Sequence, residues 1–433
     1  MNIEQLYTIY LRNPEICTDT RKISPACLFF ALKGDNFDGN KFAMQAIERG
    51  AAFAIVDNPE FAEDNRFILV NDVLQTLQDL ARFHRKKLNI PVIGITGTNG
   101  KTTTKELIRS VLSEQFNTFA TEGNLNNHIG VPISILSIKN DCEIAIIEMG
   151  ANHQKEIEFL CSISLPTHGL ITNVGKAHLE GFGGVEGVRK GKGELYEFLA
   201  ASGGQVFINA NNQTLLEMAR ERGLKNMITY GEAKENYISA RLKEANPFLI
   251  VEWNKNGEES RLAVSNLPGT YNLDNICAAI CTGSFFGINP IRVNAGINAY
   301  KPLNNRSQIV KTASNTIICD YYNANPSSMI VALDNLESTK ADNKVLVLGD
   351  MFELGEEAGK EHQLILEKAM KINASRRILI GKEFFKSDGV SGAEFYKNTA
   401  DASDSMKQNP IRNATILLKG SRGMKLESLL DLL

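Results

Sequence analysis

The residues with the clearest chemical capacity are Gly97-Thr98-Asn99-Gly100-Lys101-Thr102-Thr103. Before them runs Val92-Ile93-Gly94-Ile95-Thr96, which reads as a short apolar strand. After them comes Glu106-Leu107-Ile108-Arg109-Ser110-Val111-Leu112, which reads as a helix. Strand, glycine turn and helix start make a cradle for phosphate, because glycines admit an anion close to the backbone and the first helical N–H groups have no partners within the helix. In such a loop Lys101 reaches the terminal phosphates and the Thr102 hydroxyl serves Mg²⁺. The common form of this motif has a glycine five positions before Gly100, where this chain has Ile95.

Strands alternating with helical stretches follow, and in a parallel sheet ligands bind beyond the carboxyl ends of the strands. The polar residues that finish each strand are therefore the next candidates. Glu148 ends the apolar run Ile144-Ala145-Ile146-Ile147, where a carboxylate is costly unless it meets a cation such as phosphate-bound Mg²⁺. His178 follows the strand Gly169-Leu170-Ile171-Thr172-Asn173-Val174, as a ligand or as an ordinary structural histidine. Arg189-Lys190-Gly191-Lys192-Gly193 reads from its residues alone as a basic helix face. Asn124, Asn126 and Asn127, with Gly123 and Gly130, form an amide-rich loop suited to a polar substrate, or simply to turns. Asp19, Thr20 and Arg21 beside an early strand suit either an anionic ligand or a solvated loop.

The elements that must hold these residues suggest an α/β protein of three units: 1–85 mixed α/β, 86–304 around the phosphate loop with a parallel sheet, and 305–433 Rossmann-like. Val73 to Lys87 reads as the amphipathic helix leading into the second unit, and 240–266 as an antiparallel hairpin inserted late in it. In the third unit the runs 316–320, 344–349, 377–381 and 415–420 read as strands. Their polar ends are Asp320 with Tyr322, Asn323 and Asn325, then Asp350 with Glu353, then Lys419-Gly420-Ser421-Arg422-Gly423. A net charge of −3 gives no electrostatic reason to expect nucleic acid or an anionic membrane as partner. Seven scattered cysteines without metal-site spacing, no apolar run of spanning length and no export signal suggest a cytoplasmic chain with reduced thiols. Nothing in the sequence demands a dimer, so a monomer is expected.

Taken together, the chain resembles the Mur ligases, ATP-dependent amide-forming enzymes of peptidoglycan synthesis. The shared features, in order, are Gly97 to Thr103, Glu148, His178 and Lys192. That family carries the shorter glycine loop, which accounts for Ile95. Four further runs, 124–132, 322–326, 348–355 and 419–424, resemble the type that adds D-alanyl-D-alanine to UDP-N-acetylmuramoyl-tripeptide. The resemblance implies ATP and two Mg²⁺ ions, with Thr102, Glu148, His178 and a carbamylated Lys192 around the metals. It implies Asn272 and Asn275 on the adenine side and Arg306 and Asp320 as nucleotide contacts from the third unit. It also implies Asp19, Thr20 and Arg21 in a UDP-sugar domain, and D-alanyl-D-alanine bound on the third unit. The reaction implied is attack of the tripeptide carboxylate on the γ-phosphate of ATP, then attack of an amine on the acyl phosphate. The alternatives are a ligase adding the third stem residue, a folylpolyglutamate-type ligase, or a P-loop nucleotide switch; Asn323-Ala324-Asn325-Pro326 disfavours the first two, and no switch motif supports the last.

Overall fold

The computed structural model describes residues 1–303 and 305–433. The expected boundary at residue 304 falls on the one position outside them. Three main sheets organise the chain. The first has four parallel strands in the order Ile16–Cys17, Leu28–Phe30, Phe53–Val56 and Phe67–Leu69. Strand Leu28–Phe30 is buried on both faces, as an apolar run in a parallel sheet must be.

The central sheet has nine strands. Val92–Thr96 lies in its interior between Ile144–Glu148 and His168–Ile171, all parallel. Register decides the site. Ile95 pairs with Glu148 and Thr96 with Ile171, so the phosphate loop, Glu148 and the chain after Ile171 all emerge at one edge. The far side ends in the antiparallel strands Ile238–Glu244, Ile250–Lys255 and Arg261–Val264. The hairpin expected from alternation is thus the outer part of a meander that extends the main sheet. Trp253 from this meander is buried, and its indole N–H donates to Asn294 Oδ1 at 2.9 Å.

Helix Lys101–Leu112 is clasped from behind by helices Leu273–Phe285 and Pro290–Ala299. Two glycines permit that approach. A Cβ on Gly283 would lie 2.4 Å from a Val111 methyl, and one on Gly296 would lie 2.5 Å from Val111 Cα. Helix Val73–Lys87 starts at Asp72, whose side chain accepts from Gln75 N–H, and its last turn is basic, which complements the helix dipole. Its apolar face joins residues of the N-terminal helix Ile3–Arg12 and of the central domain in one continuous core. The packing is therefore continuous across residue 85. Tyr10 donates to Leu136 O at 2.6 Å, and Arg85 donates to Ser164 O and Leu165 O.

The third sheet has six strands in the order Gln308–Lys311, Thr316–Cys319, Thr415–Lys419, Lys344–Gly349, Arg376–Ile380 and Glu394–Tyr396, with only the first pairing antiparallel. All seven cysteines are buried and unpaired. Among the described residues no helix is long and apolar enough to cross a membrane.

Candidate active site

The carboxyl edge of the central sheet and that of the third sheet face each other across a cavity of about 780 Å³. One wall is the phosphate loop. Gly97 has φ +139° and Gly100 has φ +78°, backbone that glycine adopts without strain. A Cβ on Gly97 would fall 2.0 Å from Thr172 Oγ1, so this glycine also permits a close approach. The loop is braced by the neighbouring strand end. Asn99 N–H donates to Asn173 Oδ1 at 3.0 Å, Thr98 N–H to Asn173 O at 3.0 Å, and the Thr172 hydroxyl to Asn99 O at 2.6 Å. Helix Lys101–Leu112 begins at Gly100, which leaves the first N–H groups of the helix free for an anion.

Lys101 curls back on its own loop, donating to Gly97 O at 2.6 Å and Thr98 O at 3.1 Å. Burial pulls its ammonium down to about 8; Glu148 opposes the shift and Arg306 adds to it. Thr103 lines the cavity, while Thr102 is buried just behind it. Glu148 is buried at the cavity wall. Its Oε1 accepts from Asn126 at 2.9 Å, whereas Oε2 has no hydrogen-bond partner. A buried, unsatisfied carboxylate oxygen next to a phosphate cradle fits Mg²⁺, which prefers oxygen donors and takes the rest of its shell from phosphate and water. Among the described residues no group of three or more His, Cys, Asp or Glu could hold a metal by itself. A nucleotide would therefore have to complete the shell.

Asn124, Asn126 and Asn127 line the same cavity. So do Asn272 and Asn275, which are hydrogen-bonded to each other at 2.9 Å. Asn275 Oδ1 accepts from the Thr104 hydroxyl and would lie 2.6 Å from a Cβ on Gly100, so this pair backs onto the loop.

The opposite wall comes from the third domain: Arg306, Asp320, Tyr322, Asn323, Asn325 and Lys419. The Arg306 guanidinium carbon stands 3.9 Å from the Tyr322 ring centroid. Asp320 pairs with the nearly buried Lys419 at 2.7 Å. Asn325 caps helix Pro326–Ser338 and donates from Nδ2 to Asn99 Oδ1 at 2.9 Å. Two further contacts join the domains. Lys176 pairs with Glu361 at 2.7 Å, and His178 Nδ1 lies 2.5 Å from Glu353 Oε2. His178 and Glu353 both have positive φ, +51° and +61°, a strained conformation for side chains of that size. The His178 contact holds the Glu353 carboxyl below its usual range.

Two expected groups stand apart from the cavity wall. Lys192 is buried, donates to Ala151 O at 3.2 Å and stands 5.0 Å from the Phe182 ring centroid. Burial, with the charge of Lys101, drives its ammonium well below the ordinary lysine range. Lys190, two residues away, is exposed. Asp19 and Arg21 close on each other, the guanidinium 2.7 Å from the carboxylate, and with Thr20 they are not part of this cavity. Sequence reasoning passed over Lys105, Asn173 and Tyr271. Lys105 sits four positions after Lys101, the helical repeat that places both on one face. Asn173 stands in the sequence as one polar residue of the run leading to His178, with no local signal of its own.

Fold and site together define an ATP-dependent ligase built around a phosphate loop, and the sequence comparisons agree. The pattern of the Mur ligase family catalytic domain matches residues 15–85, that of the Mur ligase middle domain 95–283, and that of the Mur ligase glutamate ligase domain 305–422. The chain belongs to the Mur ligase family. It is 36% identical to the UDP-N-acetylmuramoyl-tripeptide--D-alanyl-D-alanine ligase of Bacillus subtilis, over 99% of this chain and 96% of that one. It is 34% identical to the enzyme of the same name from Escherichia coli, over 95% and 92%. Its structure is similar to a crystal structure of MurF from Acinetobacter baumannii, with TM-score 0.86 and 28% identity over 96% of this chain and 92% of that one.

Proposed function

We propose that this enzyme joins D-alanyl-D-alanine to the terminal carboxylate of UDP-N-acetylmuramoyl-tripeptide at the expense of ATP, in peptidoglycan synthesis. The carrying observation is one cavity with the phosphate loop on one wall and Arg306, Asp320, Asn323 and Asn325 on the other. The near full-length relatives that share this activity in their names support the same reading.

A carboxylate is a poor acyl donor, so it first attacks the γ-phosphate. ADP leaves, and an acyl phosphate forms. The free amine of D-alanyl-D-alanine then attacks the acyl carbon, expels phosphate and forms the amide. The first step brings two anions together. Lys101, the free N–H groups of the helix start and Arg306 offset that repulsion and stabilise charge on the transferring phosphoryl group. Thr102 and Glu148 would hold Mg²⁺, which supplies further charge neutralisation at the phosphates. A second ion is assigned to His178 with Lys192. Lys192 suits carbamylation, because only the neutral amine adds to CO₂ and burial favours that neutral form. Asn272 and Asn275 are assigned to the adenine side, Asp320 to the nucleotide, and Tyr322, Asn323 and Asn325 to the dipeptide. Asn124, Asn126 and Asn127 face the peptide end of the UDP substrate, and Asp19, Thr20 and Arg21 its nucleotide end. Closure of the third domain over the site keeps water from the acyl phosphate.

The deciding assay supplies ATP and the UDP-tripeptide with a panel of amines. Phosphate release that requires D-alanyl-D-alanine supports the reading; release indifferent to the amine, or satisfied by a single amino acid, overturns it. Lys192→Ala should lose activity and regain part of it with added short carboxylic acids. A variant as active as the parent would remove the carbamate from the scheme.

A further inference from the structure

Lys105 is among the largest fully buried side chains in the molecule, yet it touches neither the cavity nor any proposed substrate. A sealed ammonium is costly unless every N–H is answered. Here Nζ donates to Thr121 O at 2.5 Å, stands 3.0 Å from Glu106 Oε1 and lies 3.8 Å from Glu148 Oε2. The last contact is an ion pair without a hydrogen bond. It leaves Oε2 beside the Lys105 ammonium, without a hydrogen-bond partner and free to accept. Thr121 has a second role. Its hydroxyl accepts from Glu148 N–H at 3.0 Å, and from it departs the loop that returns Asn126 to Glu148 Oε1. One ammonium thus ties the phosphate-loop helix, the root of the asparagine loop and the cavity carboxylate into one rigid group.

We infer that Lys105 is a positioning residue for Glu148, fixing the carboxylate whose Oε2 receives the nucleotide-bound divalent cation. Lys101 approaches the nucleotide on the cavity side, and Lys105 acts from the sealed side. A general charge balance would serve equally well with any neutral replacement that removes the need for it. A positioning role would not, because the cation would then meet a carboxylate free to turn. This inference rests on the ligase reading only through the metal-bound nucleotide.

The test uses the full chain and Mn²⁺ as probe, its binding followed by electron paramagnetic resonance in the presence of ADP and without turnover. Lys105→Met should weaken Mn²⁺ binding to the ADP complex by tenfold or more. ADP binding measured in EDTA should change less than twofold. Lys105→Gln, which still donates to Thr121 O but carries no charge, should weaken Mn²⁺ binding to an intermediate degree. If Lys105→Met does not fold, Lys105→Gln carries the test alone. Mn²⁺ affinity equal to the parent's in a folded variant overturns the inference. So does an equal loss of ADP binding in EDTA, which would mark a collapsed loop instead. Either failure leaves the amine-dependence assay on the parent protein untouched, so the two readings fail separately.

Discussion

Lys101 shows how a single residue's surroundings set a pH limit. Its ammonium titrates near 8 in the free protein because burial disfavours the charge. The folded value lies below the unfolded one, so the unfolded chain binds more protons between about pH 8 and the ordinary lysine value of about 10.4. This group therefore costs stability in full below about pH 8, and the cost fades as pH rises through that window. Activity runs the other way, since the charged form meets phosphate. We expect kcat/KM for ATP to fall with a one-proton slope above about pH 8, because that parameter reports the free enzyme. Lys101→Arg should abolish this alkaline limb, whatever activity it retains; a limb unmoved in Lys101→Arg would assign it to another group. At this scale the sequence was informative where one residue type has one use. Gly97, Gly100, Lys101 and Glu148 could be picked out from local order alone. Lys105 could not, because a lysine in an amphipathic helix ordinarily points to water, and only the third dimension brings Thr121 and Glu148 to it. Asp19 and Arg21, the candidates for an anionic ligand in the first domain, lie paired with each other. Neighbours two apart in a turn do so at little entropic cost.

Among the elements, the phosphate-loop helix owes its position to two glycines on the helices behind it. Gly296 faces Val111 Cα so closely that any side chain must push the helices apart. Gly296→Val should cost about 1–3 kcal/mol of stability and weaken ATP binding, because displacement of Lys101–Leu112 moves the anion-binding N–H groups. Thermal denaturation and nucleotide titration on the same sample check this; weakened stability with unchanged ATP affinity would show that the loop keeps its place independently. The long helix Val73–Lys87 was readable from its periodicity, and Val92–Thr96 from an apolar run that breaks into a glycine turn. Thr118–Ala120, Met227–Gly231 and Glu394–Tyr396 were not. Strands of three to five residues hold too few alternations to reveal a period, and their state is set by the sheet that recruits them. Strand order was equally hidden. That Val92–Thr96 lies between Ile144–Glu148 and His168–Ile171 is what places Asn173 against Asn99, and no local pattern encodes it.

Across the whole molecule, the third domain is held against the central one by polar contacts. The Lys176–Glu361 pair has its carboxylate almost fully buried and its ammonium half exposed. Such a contact holds a closed form without making it permanent, since half of it is still screened by solvent. Glu361→Gln should open the average conformation, seen as a larger radius of gyration in solution scattering, and lower kcat/KM for ATP by about fivefold. An unchanged radius together with unchanged kinetics would mean that the remaining contacts suffice for closure.

Asn325 gives the closed form a further property. The same side chain starts a helix of the third domain and touches Asn99 in the phosphate loop. Any rotation that withdraws the third domain carries this cap away and removes a neighbour of the loop in the same movement. Opening of the third domain and the loss of this brace on the phosphate loop are thereby one movement.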